Sequence, residues 1–439
     1  MLFLLLITSY KKTMKNKFKT KMMLTAAALA VLTGTACMGV SAENSEEPVN
    51  LVFLRAGTEE NKKEAFTQLL ADFMEEYPNI TVEYQEAPWG NDFETKLNTV
   101  CASGTAANIM NYSLATIGSR VPLVQYENLN EYTEGWEGLD DIYDNILAAG
   151  SVGDNLYGIG YLADARMLVY NTELFEEAGL DPNSPPTTWD ELLEYHEKLV
   201  KKDENGNVIQ TGMGVPTNGA NINQWLEIFA AQNGVKNLVD ESTDEILFNT
   251  PEAIEAMEFL KQLSDIGLVA WDNAQSDQNP FKNGTAAMTI MNADDFNSAN
   301  TGDLEGKIRM APMFSKEKDA TFCGVHFMFM NADSKKKDAA WKLIEFLARK
   351  ESMQKYCEIV GTTPVRASLR DWYLENHDDD AEIVLHSIEI GQGSPKVPYF
   401  QTLFNYVDEA MERIFYGDAG VEDALNEAAE GLQEEIDNQ

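Results

Sequence analysis

The chain of 439 residues carries 33 basic and 72 acidic residues, a formal charge of −39 at neutral pH. A surface that acidic repels phosphate backbones and anionic lipid alike, which argues against nucleic-acid binding and against an electrostatic hold on a membrane. The length is enough for more than one domain, because single cores stop growing near about 250–300 residues.

The N-terminus departs from this composition. All six lysines before Cys37 lie in a stretch without acidic residues, and a short apolar run, Met22–Leu32, follows them. These are the charged and apolar regions of a secretory signal peptide. The run is too short for a permanent span, which takes about 20 residues. The earlier apolar segment MLFLLLITSY is also too short, and initiation at Met14 accounts for it. Gly34-Thr35-Ala36-Cys37 is similar to a bacterial lipobox, although Gly34 stands where an aliphatic residue is usual. It predicts cleavage before Cys37 and lipidation of that cysteine, whereas Val40-Ser41-Ala42 offers a site for ordinary secretion. Residues 1–36 are therefore expected to be signal peptide, and 37–48 a polar tether.

The mature chain opens with the strand pattern VNLVFLRA, broken by Gly57-Thr58. A helix begins at Glu59 and Glu60, with Phe66, Leu69, Leu70 and Phe73 at helical spacing up to Tyr77-Pro78. A second strand over 80–84 and a helix near 92–100 complete a β-α-β-α order, the signature of an α/β fold with parallel strands under covering helices. Strands are predicted again at 156–161 and 167–171, then a short helix ending at Gly179. Thr188 is the expected N-cap of the next helix, with Glu191 as its capping-box partner. A helix from Glu252 carries Ile254, Met257, Phe259, Leu260 and Leu263. The polar loop 271–280 leads to Gly284 and a strand to Ile290. The last third reads as helices: 339–348, 352–360, 381–390 and a long tail from Tyr399.

No catalytic signature is present: neither G-x-S-x-G, H-E-x-x-H nor a phosphate-binding glycine loop occurs. The histidines are scattered, with His196 and His377 in charged, solvated runs and only His326 in an apolar stretch. No enzyme activity, cofactor or metal is expected. Asp378-Asp379-Asp380 lacks the ligand spacing of a calcium loop, and Cys101, Cys323 and Cys357 have no zinc spacing. Cys323 reads as a small buried hydrophobe, and a Cys323–Cys357 disulfide remains open. What stands out is aromatic residues beside polar loops: Trp89 near Gly90-Asn91-Asp92, Trp225 after Asn221-Ile222-Asn223-Gln224, and Trp271 before Asp272-Asn273. Aromatic faces stack on the C–H side of a sugar ring, and polar neighbours satisfy its hydroxyls. Each tryptophan can equally be a core or rim residue. Asp164, Arg166, Asp294 and Asp295 flank predicted strands, and Arg55 and Glu59 flank the Gly57-Thr58 break. All six join the candidate set: the carboxylates as hydroxyl acceptors or surface charge, with Asp164, Asp294 and Asp295 the ones a cation would need, and Arg55 with Arg166 as the pair a phosphorylated solute would need.

The segment LYGIGYLADARMLVYNTELFEEAGLDPNSPPTTWDELLEY (156–195) closely resembles the hallmark stretch of family 1 extracellular solute-binding proteins, the sugar-binding lipoproteins of ABC importers. Further stretches agree. Ala102–Ala106 resembles the family's Ala-Ser-Gly-Thr-Ala loop, with Ala107-Asn108 where Pro-Asp is usual. Phe281-x-x-Gly284-x-Ala286-Ala287-Met288, Asn331–Lys335 and Gly361-Thr362-Thr363-Pro364-Val365-Arg366 also match. Pro395–Tyr406 is similar to a late segment that supplies a stacking aromatic, here Phe404, and Arg366 is added from its turn.

The resemblance implies a two-lobed fold of the periplasmic-binding-protein type II class with the ligand cleft between lobes. The N-lobe is expected over 49–157 and 285–312, the C-lobe over 158–284 and 313–439. It further implies a monomer on the extracellular face, lipid-anchored or secreted, that delivers a carbohydrate to an ABC permease. Alternative readings are a polyamine, glycerol phosphate or peptide as solute, or surface glycan adhesion without transport.

Overall fold

A computed structural model describes residues 47–103, 107–219, 222–273, 275, 278–377 and 380–438. The first three strands, β1 (Val49–Ala56), β2 (Ile80–Ala87) and β3 (Ile109–Ser113), are parallel, with β1 in the middle. The helices α1 (Glu60–Glu76) and α2 (Asn91–Ser103) make the crossovers. Leu51, Phe53 and Leu54 of β1 are all fully buried, as expected of a parallel strand covered on both faces. The helix α1 buries Phe66, Leu69, Leu70 and Phe73, the residues its spacing marks.

The strand β4 (Gly158–Ala165) belongs to this first sheet, and β5 (Met167–Asn171) belongs to a second one. Arg166 alone separates them. The helix α3 (Trp189–Leu199) then starts at its expected cap: Thr188 Oγ1 accepts from Glu191 N at 3.2 Å. The Glu191 carboxylate reaches back one residue further than the capping box requires, to Thr187 N at 2.8 Å. Three more strands follow, β6 (Lys201–Lys202), β7 (Val208–Met213) and β8 (Ala286–Met291), with α4 (Asn223–Gln232) and α5 (Pro251–Gly267) between β7 and β8. After α6 (Ala293–Ala299) and β9 (Ile308–Ala311), the second sheet is complete in the order β9-β5-β8-β7-β6. The strand β10 (Thr321–Met330) returns to the first sheet and lies antiparallel to both β3 and β4.

This pairing corrects the expected lobe boundaries. Residues 285–312 do not rejoin the first sheet, because β8 and β9 both pair with β5 in the second. The return is made by β10. The helices α7 (Lys337–Ala348), α8 (Lys350–Val360) and α9 (Ala381–Glu389), expected in the second lobe, contribute to the core around the first sheet. The strand β11 (Gly391–Gln392) pairs with the start of β10. Of the helices described after β10, α10 (Phe400–Phe415) and α11 (Val421–Asp437) instead join α3, α4 and α5 around the second core. The first lobe is thus 49–165 with 321–392, and the second 167–311 with 400–437.

Three chain crossings connect the lobes: Arg166, the segment 312–320 and the segment 393–399. The first is tied to the start of β10, just past the second, with Arg166 N donating to Phe322 O (2.9 Å) and Thr321 Oγ1 to Arg166 O (2.8 Å).

One open question is settled and one further expectation changes. Cys323 and Cys357 are both buried free thiols, so they form no disulfide. His196 is not solvated: it is completely buried, accepts from Met213 N through Nδ1 (2.9 Å), and meets Leu263 O through Nε2 (3.0 Å). The charged neighbours Glu194, Glu197 and Lys198 lie on the other faces of α3, which is why the local composition misleads. Burial pushes its pKa down to about 4, so the native imidazole is neutral while the unfolded one protonates near pH 6.5. Stability from this residue is complete above pH 6.5 and is lost as the pH falls toward 4, by about 3 kcal/mol in all. Urea unfolding at pH 7 and pH 4.5 should show this loss in the wild type and a smaller one in His196→Gln. Equal losses would mean that the burial is not felt.

Candidate ligand-binding site

The single-residue crossing carries charge. Arg166 donates to Asp164 at 2.9 Å, and its guanidinium lies 5.5 Å from the Phe322 ring centroid. The two partners open on different cavities. Asp164 lines a small one of about 50 Å³ with Lys62, His326, Thr362 and Thr363 of the first lobe and Asp294 of α6 in the second. Arg166 lines another of about 880 Å³, counting its open mouth, with Gln224, Trp225, Trp271, Asn273, Asn279, Lys282 and Asp295. The ion pair and the adjacent residues Asp294 and Asp295 therefore link both cavities.

The electrostatics follow from the fold. Asn292 caps α6 by accepting from Asp295 N at 2.6 Å, which places two carboxylates on the first helical turn, where the dipole favours them. Asp294 is exposed to solvent, yet the adjoining protein and the charges of Asp164 and Asp295 raise its carboxyl above the ordinary range. Burial and the nearby Lys62 push His326 down to about 4, so it is a neutral group at pH 7.

The first lobe presents one exposed aromatic. Trp89 is 39% exposed, with its ring stacked on Tyr112 (5.3 Å, 27°) and 4.9 Å from His326. Gly57 has φ +99° and no room for a side chain, since a Cβ there would strike the Glu59 carboxylate, the Trp89 indole nitrogen and Arg55. Glycine thus lets these three groups gather at one turn. Arg55 is 2% exposed and bound to Glu59, to Tyr84 Oη (3.2 Å) and to Glu86 (3.7 Å). It positions Glu59 and is enclosed itself, a correction to its place among ligand contacts.

The second lobe supplies two tryptophans to the larger cavity. Trp225 lies in the first turn of α4, parallel to Phe229 at 6.4 Å, and belongs to the second core as well as to the cavity wall. Trp271 is fixed by its backbone, which donates to Thr217 Oγ1 (3.3 Å) and accepts from Thr217 N (3.1 Å). Its indole N–H has no partner among the described residues.

Two expected contacts are structural instead. Phe404 is 4% exposed and packs in the second core, 4.2 Å from Phe400, on the stripe of α10 that also buries Leu403, Val407 and Met411. Arg366 is 3% exposed, donates to Asp141 (2.8 Å) and Ala348 O (2.5 Å), and stacks over Trp136. Cys37 lies outside the described residues. The sequence reading did not single out Lys62, Lys282, Thr289, Thr362 or Thr363. Lys62 had a signal, since it is three residues from Glu59 on one helix face and pairs with it at 3.4 Å.

The family of bacterial extracellular solute-binding proteins matches residues 56–354, well over half the chain. The chain belongs to this family. Among curated relatives, a protein of Brucella abortus named as a putative binding protein is 27% identical over 83% of this chain and 88% of its own. The sn-glycerol-3-phosphate-binding periplasmic protein of Escherichia coli is 25% identical over 60% of this chain and 63% of its own. Among solved structures, the sugar-binding protein MalE from Xanthomonas citri superposes with a TM-score of 0.76 at 22% identity, covering 88% of this chain and 96% of that one. The likeness establishes the two-lobed α/β fold. No helix among the described residues is long and apolar enough to cross a membrane.

The different placement of the two arginines gives a prediction. Arg366→Ala removes the buried guanidinium from Asp141 and Ala348 O, leaving Asp141 only Ser368 as a donor, and should lower unfolding stability by about 2–3 kcal/mol, measured by denaturant titration. A variant with wild-type stability would show that Arg366 is not a structural residue.

Proposed function

We propose that this solute-binding protein captures a carbohydrate between its lobes and delivers it to the permease of an ABC importer. One observation carries the choice of solute. The residues lining the two linked cavities include three cations (Lys62, Arg166, Lys282) and three carboxylates (Asp164, Asp294, Asp295), with His326 neutral. A chain with a formal charge of −39 thus has a charge-balanced candidate cleft. Its remaining polar groups are amides and hydroxyls, from Gln224, Asn273, Asn279, Thr289, Thr362 and Thr363. These suit the hydroxyls of a neutral ligand, and Trp89, Trp225 and Trp271 offer faces for its C–H surface. Closure of two lobes would remove such a ligand from water on both sides.

A phosphorylated solute is the second reading, favoured by the glycerol-phosphate-binding relative and by Lys282. Among the described residues Lys282 has no carboxylate within ion-pair distance. Against it, Arg166 is neutralised by Asp164 and Lys62 by Glu59. A polyamine would use Asp164, Asp294 and Asp295, of which Asp164 is already paired. The lipobox at Cys37 supports attachment to the outer face of the membrane through lipid, the only hold a surface this acidic would have.

A thermal-shift screen of residues 43–439 against mono- and oligosaccharides, sugar phosphates and polyamines tests the reading. A sugar at a hundredfold excess over its Kd should add about 2.7 kcal/mol of stability. Trp89→Ala should then bind that sugar roughly 10–100-fold more weakly while melting like the wild type, because so exposed a ring contributes little to the core. A shift with sugar phosphates or polyamines alone would replace the carbohydrate reading.

A further inference from the structure

Between α4 and the third crossing lies a narrow cavity of about 10 Å³, room for about one water molecule, lined by Glu227 of α4, by Thr321 and Phe322 at the start of β10, and by Gln392 and Gly393. Glu227 is 8% exposed. Its carboxylate accepts from Ser394 Oγ at 3.3 Å and from Asn223 Nδ2 at 3.4 Å. Ser394 belongs to the segment 393–399 that connects the lobes, so a second-lobe helix is bonded here directly to the connection. Among the described residues no cation pairs with the group. Asp408 of α10 accepts from Asn223 N at 2.7 Å and adds a second negative charge. Lys236, in the turn beside the cavity, is exposed, and Lys396, two residues past Ser394, faces Glu241 at 3.7 Å.

We propose that Glu227 is a proton-operated catch on the connection between the lobes. Uncharged, the carboxyl stays sealed against Ser394 and Asn223 and holds the connection to α4; ionised, it draws in water and releases it. Two observations support the uncharged form in the structure as it stands. Burial, with Asp408 adding to it, pushes the carboxyl up to about 8. Asn223 Oδ1 is also a buried acceptor without a partner among the described residues. The proton of an uncharged Glu227 is a donor that this amide accepts after rotation about its terminal bond, and the two orientations are equivalent in shape. The inference rests on the proposed closure of the lobes. Where closing seals the cavity and opening hydrates it, the ratio of closed to open forms falls as the pH rises, by up to tenfold for each unit by which the two pKa values differ.

The test needs no solute, so it stands apart from the carbohydrate reading. Spin labels at Gln68→Cys on α1 and Glu252→Cys on α5, both exposed positions, are placed in a Cys101→Ser background. Pulsed dipolar spectroscopy then reads the lobe separation in the ligand-free protein at pH 6 and pH 9. In the wild type the short-distance population should fall relative to the long one by roughly tenfold. In Glu227→Gln the distribution should not change with pH. Ser394→Ala, which keeps the carboxyl and removes one bond to it, should shift the midpoint of the transition, and it decides the matter should the glutamine variant not fold. A wild type without a pH response, a response retained in Glu227→Gln, or an unmoved midpoint in Ser394→Ala would each overturn the proposal.

Discussion

The Asp164–Arg166 ion pair stands at the one place where a strand of the first sheet becomes a strand of the second. Arg166 is the only residue between β4 and β5, so its φ and ψ set how the sheets are joined at this point. Its backbone is bonded on both sides to Thr321 and Phe322 at the start of β10. A charged side chain in so confined a position needs a partner, and Asp164 supplies one from two residues away. The pair thus serves the connection, and it also places a cation and an anion in two adjacent cavities. The surrounding site inherits its geometry from this point: α6, with Asp294 and Asp295, follows β8, which pairs directly with β5.

Charge is distributed unevenly between surface and interior. The excess of carboxylates lies mostly on exposed helix faces, where water screens them and single pairs contribute little. In the candidate cleft the charges are balanced. The net charge of the chain therefore says little about the solute. It bears instead on how the protein avoids anionic membrane surfaces while being held, on the proposed reading, by lipid alone.

Much of the fold was legible because its local signals agree. The helix α1, the Thr188 cap and the apolar β1 each follow from spacing and chemistry within a few residues. Lobe membership was not legible in the same way. The strand β8 is apolar and follows a glycine break as expected, but whether it pairs with β5 or with the first sheet depends on contacts more than a hundred residues apart. The same limit explains the site. Trp225, Trp271, Arg166 and Asp295 come together in one cavity because they border loops at one end of the second sheet. Arg366 and Phe404, singled out by resemblance, are instead buried, the one paired with the half-buried Asp141 and the other on a helix stripe. Asn108, where the family pattern has an acid, accepts from Val52 N and donates to Ser334 Oγ, both at 2.9 Å. That is a structural role, with the amide accepting at one end and donating at the other.

The central claim is that solute is held between facing segments of both lobes around the Asp164–Arg166 crossing. Hydrogen-exchange mass spectrometry of residues 43–439, with and without the sugar that raises the melting temperature most, measures this directly. The account predicts slower exchange in both lobes at once: in 57–62 and 89–92 of the first, in 218–225 and 289–296 of the second, and at 164–166 between them. Protection confined to one lobe, or lying away from the crossing, would contradict it.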